Sequence, residues 1–422
     1  MNRHLRVAIV VAAASAATAF AQQVRVLDLD HGMFAAIGVA VGTAGDRTVA
    51  VPASNTFLVT TADGNVIVDT SLAAAAPAHK QALAAKSGAP VKAIILTHAH
   101  ADHTGGVTLW RGPETAVVAQ RNHQDFVGYQ RRLGGFFARR NAAQFGIAVR
   151  GAAGGAAAAA FQPTRTFDER DTLTIGGVTF ELLHTPGETP DHLTVWIPQL
   201  KAAFIGDNYY ESFPNLYTLR GTQPRWALEY VDSLNKVLAL EPELVLPSHG
   251  PPIRGRDEVK RRLTQYRDAI LYVHDATVRG MNDGKDVFTL MREIKLPPAL
   301  DVGESYGKVA WSIRGIYEGY AGWFDGNPTT MYETPVAAAY PELVALAGGA
   351  DAVAARAQAM TATDPVRALA LTDVALAADP SHRRSLEARL AALQALDRRS
   401  KNSNERGWLA AGIRDVEARL KK

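Results

Sequence analysis

The segment VKAIILTHAHADHTGG, Val91 to Gly106, constrains this chain more than any other. Its first half holds the short apolar run Ala93 to Leu96, the pattern of a strand buried on both faces. Its second half sets His98, His100, Asp102 and His103 within six residues. Buried imidazoles and carboxylates need partners, so this group in a turn after a strand points to a cation on which the side chains converge. The chain must therefore build a sheet covered on both sides, with a metal site where a strand ends.

The flanking pattern agrees. SNTFLVTTADGNVIVDT (Ser54 to Thr70) reads as a β-hairpin turning at Asp63-Gly64-Asn65, and HKQALAAK reads as a helix. LTIGGVTFELLHTPG, LTVWIPQLKAAFIGDN and PELVLPSHG make a second β-rich block. Strands and helices in two halves predict a layered α/β domain. GAAGGAAAAA, Gly151 to Ala160, is low-complexity and reads as a loop. Past Pro251 the periodicity becomes helical, which places a domain boundary there: a signal at 1–21, a catalytic domain at 22–250 and a helical domain at 251–422. Within the last, DPVRALALTDVALAADPSHRRSLEARL predicts a helical hairpin with helix starts at both Asp-Pro steps, Asp364 and Asp379.

Composition narrows the function. Residues 1–21 carry Arg3 and Arg6 ahead of an apolar run of roughly ten residues, then small residues, the form of a cleaved secretory signal. The run is too short to span a bilayer, so the prediction is a periplasmic or secreted protein without a membrane span. Cleavage removes two arginines and no acid, taking the formal charge from +3 to about +1. Basic residues are scattered singly or in pairs such as Arg139-Arg140, which argues against nucleic acid as a partner. There is no cysteine, so neither a disulfide nor thiolate-bound zinc is available.

The HxHxDH spacing of His98, His100, Asp102 and His103 resembles the signature of the metallo-β-lactamase superfamily. The resemblance implies a four-layer αββα sandwich with a metal site at its edge. His98 and His100 would hold one ion, and Asp102 with His103 a second. Three later strand ends would supply Glu188 in TPGETPDH, Asp207 in FIGDN and His249 in PSHG. Most members carry histidine at the place of Glu188. The secreted alkyl sulfatase branch resembles this chain in placing glutamate there, with a bridging acid nineteen residues on; here that acid is Asp207, where the branch usually has glutamate. An added carboxylate offsets the charge of two divalent cations and weakens their Lewis acidity, which suits an ester with a good leaving group. His192 is expected to orient the ligands by hydrogen bonding.

Resemblance extends beyond the ligands. FPNLYTLRGTQPRWAL is similar to the segment in which that branch holds sulfate, with Asn215 and Arg220 as the matching residues. A planar guanidinium forks onto two sulfate oxygens, reading geometry as well as charge. FFARRNAAQFG resembles a segment near the site. SYGKVAWSIRGIYEGYAGWFDGNP and NERGWLAAGIRDVEARL resemble the branch's all-α dimerisation domain, and Tyr306 matches a tyrosine near the sulfate pocket. Two departures concern the substrate: Trp311 stands where the branch has histidine, and the chain stops at Lys422 without the sterol-carrier-like domain that shelters an alkyl chain.

The resemblance thus implies a homodimeric hydrolase of a small-molecule ester, an alkyl sulfate. Two zinc ions would hold a hydroxide oriented by Asp102 and Asp207, with Arg220 on the sulfate. Iron and manganese suit the same donors. Other readings are a hydrolase of a lactone, phosphoester or β-lactam, which Trp311 favours, and a non-catalytic metal-binding interaction protein.

Overall fold

Strand residues that alternate in and out find apolar cover on both sides, and that double cover organises the molecule. The computed structural model describes residues 24–37, 39–44, 47–145 and 161–422; the expected signal at 1–21 and the loop at 151–160 lie outside the described residues. The first sheet runs in the order β1 (Arg25–Asp28), β2 (Met33–Ile37), β5 (Thr56–Thr61), β6 (Gly64–Val68), β7 (Val91–Ile95), β8 (Ala116–Gln120) and β9 (Arg165–Phe167). Pairings from β6 to β9 are parallel and the others antiparallel. β3 (Val39–Ala44) and β4 (Arg47–Pro52) form a separate ribbon. The second sheet runs β10 (Arg170–Ile175), β11 (Val178–His184), β12 (Leu193–Ile197), β13 (Ala202–Gly206), β14 (Leu244–Pro247) and β15 (Ile253–Arg254), with only β13 and β14 parallel.

The period of two explains the layers. Phe57, Val59, Val66, Val68 and Ile95 face Phe180, Leu182, Val195 and Phe204 in one core between the sheets. Leu58, Ile67 and Ile94, one residue out of step, face Leu83, Val107 and Trp110 of the helices outside the first sheet. On the second sheet Leu183, Ala203, Ile205 and Val245 pack against helix Ala227–Ala239 and helix Arg256–Asn282. This is the α/β, four-layer αββα arrangement with helices after it. The same core takes in Val309, Ile313 and Ile316. Apolar packing therefore runs across residue 251, and the division into 22–250 and 251–422 is a proposal drawn from composition.

Two local expectations shift. The hairpin reverses at Ala62-Asp63, because Thr61 already pairs with Gly64, so Gly64 and Asn65 are strand residues. Asp63 is thereby freed to accept the amide of Gly176, in the hairpin of the other sheet, at 2.8 Å. Farther on, Asp364 caps helix Pro365–Ala378 by accepting from Arg367 N, as its Asp-Pro step suggests. Asp379 does not start a helix. It ends the preceding one in extended backbone, its carboxylate takes the amide of Ser381, and His382 caps helix Arg383–Arg399 instead. The helical tail closes on two small cores, Val344 with Val353 and Ala375, then Leu386 with Leu393 and Val416.

Candidate metal centre

Four strand ends on one edge of the sandwich carry the cluster. His98 follows β7, and His100 is the N-cap of the single turn Ala101–Thr104 that brings in Asp102 and His103. Glu188 lies in the turn after β11, Asp207 directly after β13 and His249 after β14. All seven expected ligands fall into three overlapping groups, His98–His103–Asp207, Asp102–His103–His249 and His100–Glu188–Asp207, each with donor atoms within 4.8 Å of one another. His98 Nε2 and His100 Nδ1 are 2.9 Å apart. Asp207 Oδ2 lies at the centre, 3.8 Å from His98, 3.4 Å from His103 and 3.5 Å from His249.

The electrostatics fit cations. Buried His103 Nε2 and Asp207 Oδ1 have no hydrogen-bond partner among the described residues, although such atoms are costly to leave bare. Burial holds His98 and His100 well below their ordinary pKa, so both present lone pairs. For His103 and His249 burial acts the same way but loses to the carboxylates, chiefly Asp207, which lift His249 to about 10. Asp102 and Asp207 are conversely depressed, against burial, by those two imidazoles. Protons on His103 and His249 thus stand in for the positive charge that the acids require, and a bound cation would displace them.

Supporting groups hold the donors. His103 Nδ1 faces Asp69 Oδ2 at 2.7 Å, which aims Nε2 at the cluster. Asp69 is fully buried and also accepts from Thr97 N and Oγ1 and from Ser248 Oγ. His192 accepts the amide of Asp207 on Nε2 at 3.1 Å and stacks on His98, so it positions two other members of the site. Burial lowers its pKa to about 4 and keeps it neutral for that task. Gly206 makes the approach possible: its φ is 52°, and a Cβ there would overlap the His192 ring. Tyr210 donates to Asp207 Oδ2 at 2.7 Å. Asp69→Asn is expected to weaken divalent-metal binding by ~10–100-fold. Competition against a chromophoric chelator would measure it, and an unchanged affinity would remove Asp69 from the orienting shell.

The turn after β13 supplies the rim. Arg220 Nη2 stands 3.4 Å from His100 Nε2. Arg225, absent from the expectations above, bonds Glu188 Oε2 at 2.6 Å, with both side chains 3% exposed, and gives the same nitrogen to Asn215 O at 2.9 Å. Burial pushes the Glu188 carboxyl up to about 7 against the pull of Arg225, and like charge from Asp207 and Asp102 adds to the rise. Buried Asn215 leaves Oδ1 unpartnered among the described residues. Tyr306 sits ring-to-ring with Tyr210 at 4.9 Å. Trp311 lies on the first turn of helix Val309–Ala321 under Lys308 Nζ, and among the described residues no hydrogen bond or ring contact joins it to the cluster.

The family model of the metallo-beta-lactamase superfamily matches residues 49–249, and that of alkyl sulfatase dimerisation matches residues 288–418. A linear primary-alkylsulfatase of Pseudomonas sp. is 33% identical over 79% of this chain, which spans 68% of that protein. The alkyl/aryl-sulfatase of Saccharomyces cerevisiae is 27% identical over 79% of the chain and is spanned to 56%. An (R)-specific secondary-alkylsulfatase of Pseudomonas sp. is also 27% identical, over 78% of the chain, and is spanned to 54%. The solved sec-alkylsulfatase Pisa1 from Pseudomonas sp. shares the fold at a TM-score of 0.81, with 23% identity, 95% of this chain covered and 67% of its own. By the relationship to the first of these, this chain belongs to the alkylsulfatase branch of the metallo-β-lactamase superfamily, a family of metal-dependent hydrolases.

Proposed function

We propose that the chain is a binuclear zinc hydrolase of sulfate esters, with an alkyl sulfate as substrate. One observation carries the reading: a carboxylate-rich cation cluster that includes Glu188 has a guanidinium, Arg220, at its rim. The alkylsulfatase relatives at 27–33% identity support it. Zinc ions held by His98, His100, Asp102, His103, Glu188, Asp207 and His249 would supply Lewis acidity toward an ester oxygen and acidify a water molecule.

The chain's own residues do the rest. Arg220 forks onto two oxygens of the tetrahedral sulfate, a match that a lysine point charge cannot make. Asn215 would add its Nδ2 amide as a donor to the same group. Burial raises the Tyr306 hydroxyl above its ordinary pKa, with Glu188 adding to the effect, so it stays a donor. Asp102 and Asp207 would orient the attacking water by accepting its hydrogen bonds. An apolar wall of Phe126, Tyr129, Phe137 and Phe136 runs ring to ring away from His100 in steps of 5.4 to 5.7 Å, suited to an alkyl chain.

The test is sulfate release from a medium-chain alkyl sulfate by zinc-loaded protein beginning at Gln22. Arg220→Ala should lower kcat/KM by ~10²–10³-fold, the scale for removing a charged anchor of the developing charge. No release from protein holding both metals would overturn the sulfate reading and move the search to lactones, phosphoesters and β-lactams.

We also propose a homodimer exported through the cleaved segment at 1–21. Within the span matched to alkyl sulfatase dimerisation, Trp323, Tyr332 and Leu346 are 76%, 66% and 85% exposed, an apolar surface that a second copy would cover. Sedimentation at micromolar concentration should give twice the monomer mass, and a monomer would refute the dimer. Exported protein should begin at Gln22, whereas a retained Met1 would refute cleavage.

A further inference from the structure

The last helix, Ser403–Leu420, lies outside both sheets, yet its first two turns reach both arms of the anion pocket. Its N-cap Asn402 accepts from Glu405 N and donates through Nδ2 to the carbonyls of Glu304 at 2.8 Å and Tyr306 at 2.9 Å. Asn404 Nδ2 donates to the same Tyr306 carbonyl at 2.9 Å. Both asparagines are almost wholly buried. The backbone at Tyr306 therefore hangs on the start of this helix.

One turn later the helix meets the other arm. Gly407 touches the backbone of Gln144 so closely that a Cβ would overlap its carbonyl oxygen. Trp408 Nε1 donates to Gln144 Oε1 at 3.4 Å, and its ring lies 5.1 Å from the Arg140 guanidinium, which also lies over Phe136. Arg140 in turn gives Nε to the carbonyl of Arg220 at 2.8 Å and Nη2 to that of Leu219 at 2.5 Å. Gln144 Nε2 adds a bond to Thr218 Oγ1 at 3.3 Å. Thr218 to Gly221 is a tight turn, closed by Gly221 N on Thr218 O, and Arg220 is its third residue.

We infer that this helix is a positioning element for anion recognition. Through Asn402 and Asn404 it sets Tyr306, and through Trp408, Gln144 and Arg140 it sets the turn that carries Arg220, so one rod registers both side chains. The inference rests on the reading of Arg220 and Tyr306 as the anion's partners. Rotamer-rich arginine needs such a frame, since a misplacement of about 1 Å can cost ~10²-fold in rate. None of the framing residues belongs to the metal cluster. Their loss therefore acts on the anion and leaves the cations in place.

The experiment compares Arg140→Ala, Arg140→Lys, Trp408→Ala and Asn404→Ala in zinc-loaded, full-length protein. Readouts are KM and kcat on a medium-chain alkyl sulfate, inhibition by inorganic sulfate, metal content, and backbone hydrogen exchange at 215–223 and 303–309. Arg140→Ala should lower kcat/KM and raise the sulfate inhibition constant ~10-fold or more, because a displaced Arg220 meets both the bound anion and the developing charge less well. Arg140→Lys should recover part of that loss. In an Arg220→Ala background the Arg140 effect should disappear, because coupled residues are not additive. Trp408→Ala should speed exchange at 215–223, and Asn404→Ala at 303–309. An Arg140 effect undiminished without Arg220, or a fall in metal content, would overturn the inference. If wild-type protein releases no sulfate from any ester, the functional reading has failed; exchange then decides the framing alone, with unchanged exchange at both loops overturning it.

Discussion

Arg225→Ala should cost about 3–5 kcal/mol in the stability of the metal-free protein, the scale for breaking a buried ion pair from one side. Arg225 and Glu188 meet at 2.6 Å with almost no solvent contact, and Asn215 O shares the same guanidinium nitrogen. Without the guanidinium, Glu188 faces Asp207 and Asp102 as a buried anion without its counterion, and the backbone oxygen of Asn215 loses its donor. Taking a proton would relieve Glu188, but a protonated carboxyl no longer offers the charge that a divalent cation needs, so zinc affinity should fall with stability. Arg225→Lys should recover only part, since an ammonium carries the charge without the fork. Denaturant unfolding of metal-free protein measures the loss, and saturating zinc should return some of it by mass action. A change below ~1 kcal/mol would place the pair among those that contribute little, as exposed pairs do.

That pair also shows which part of the site the sequence made legible. The sandwich could be read because strands covered on both faces appear as unbroken apolar runs between turn residues. The ligands could be read because four lie within six residues and three more stand at strand ends in a fixed order. Asp69, Tyr210 and Arg225 carry no such local mark. Tyr210 stands three residues past Asp207 in the same turn, whereas Asp69 and Arg225 reach the cluster only when separate strand ends are brought together, Asp69 because β6 lies beside β7. Its one signal was an acid closing the buried run VIVDT, a costly place for a carboxylate without partners. Asp379 misled for the converse reason: an Asp-Pro step marks a helix start by local chemistry, and here the preceding helix runs up to it while His382 takes the cap.

On the proposed binuclear zinc centre, Glu188→Ala should reduce bound zinc from two equivalents to one and lower kcat/KM by roughly 10³-fold, about 4 kcal/mol of transition-state stabilisation. Glu188 Oε1 lies 3.7 Å from His100 Nδ1, and its other oxygen is spent on Arg225, so the residue joins one cation position to the buried guanidinium. On the proposed ligand set, this pair gives a reason for glutamate at the place where the resemblance leads one to expect histidine. A neutral imidazole could take the ligand place but would leave Arg225 buried without a counterion, its Nε and Nη2 already unpartnered among the described residues. Glu188→His should therefore bind the second zinc poorly despite restoring a common ligand. Pairing it with Arg225→Leu should recover that zinc, because the unpaired charge is removed together with its partner. Metal analysis of the three variants decides the matter. Full zinc in Glu188→Ala would show that Glu188 is no ligand, and full zinc in Glu188→His alone would show that Arg225 does not dictate the choice.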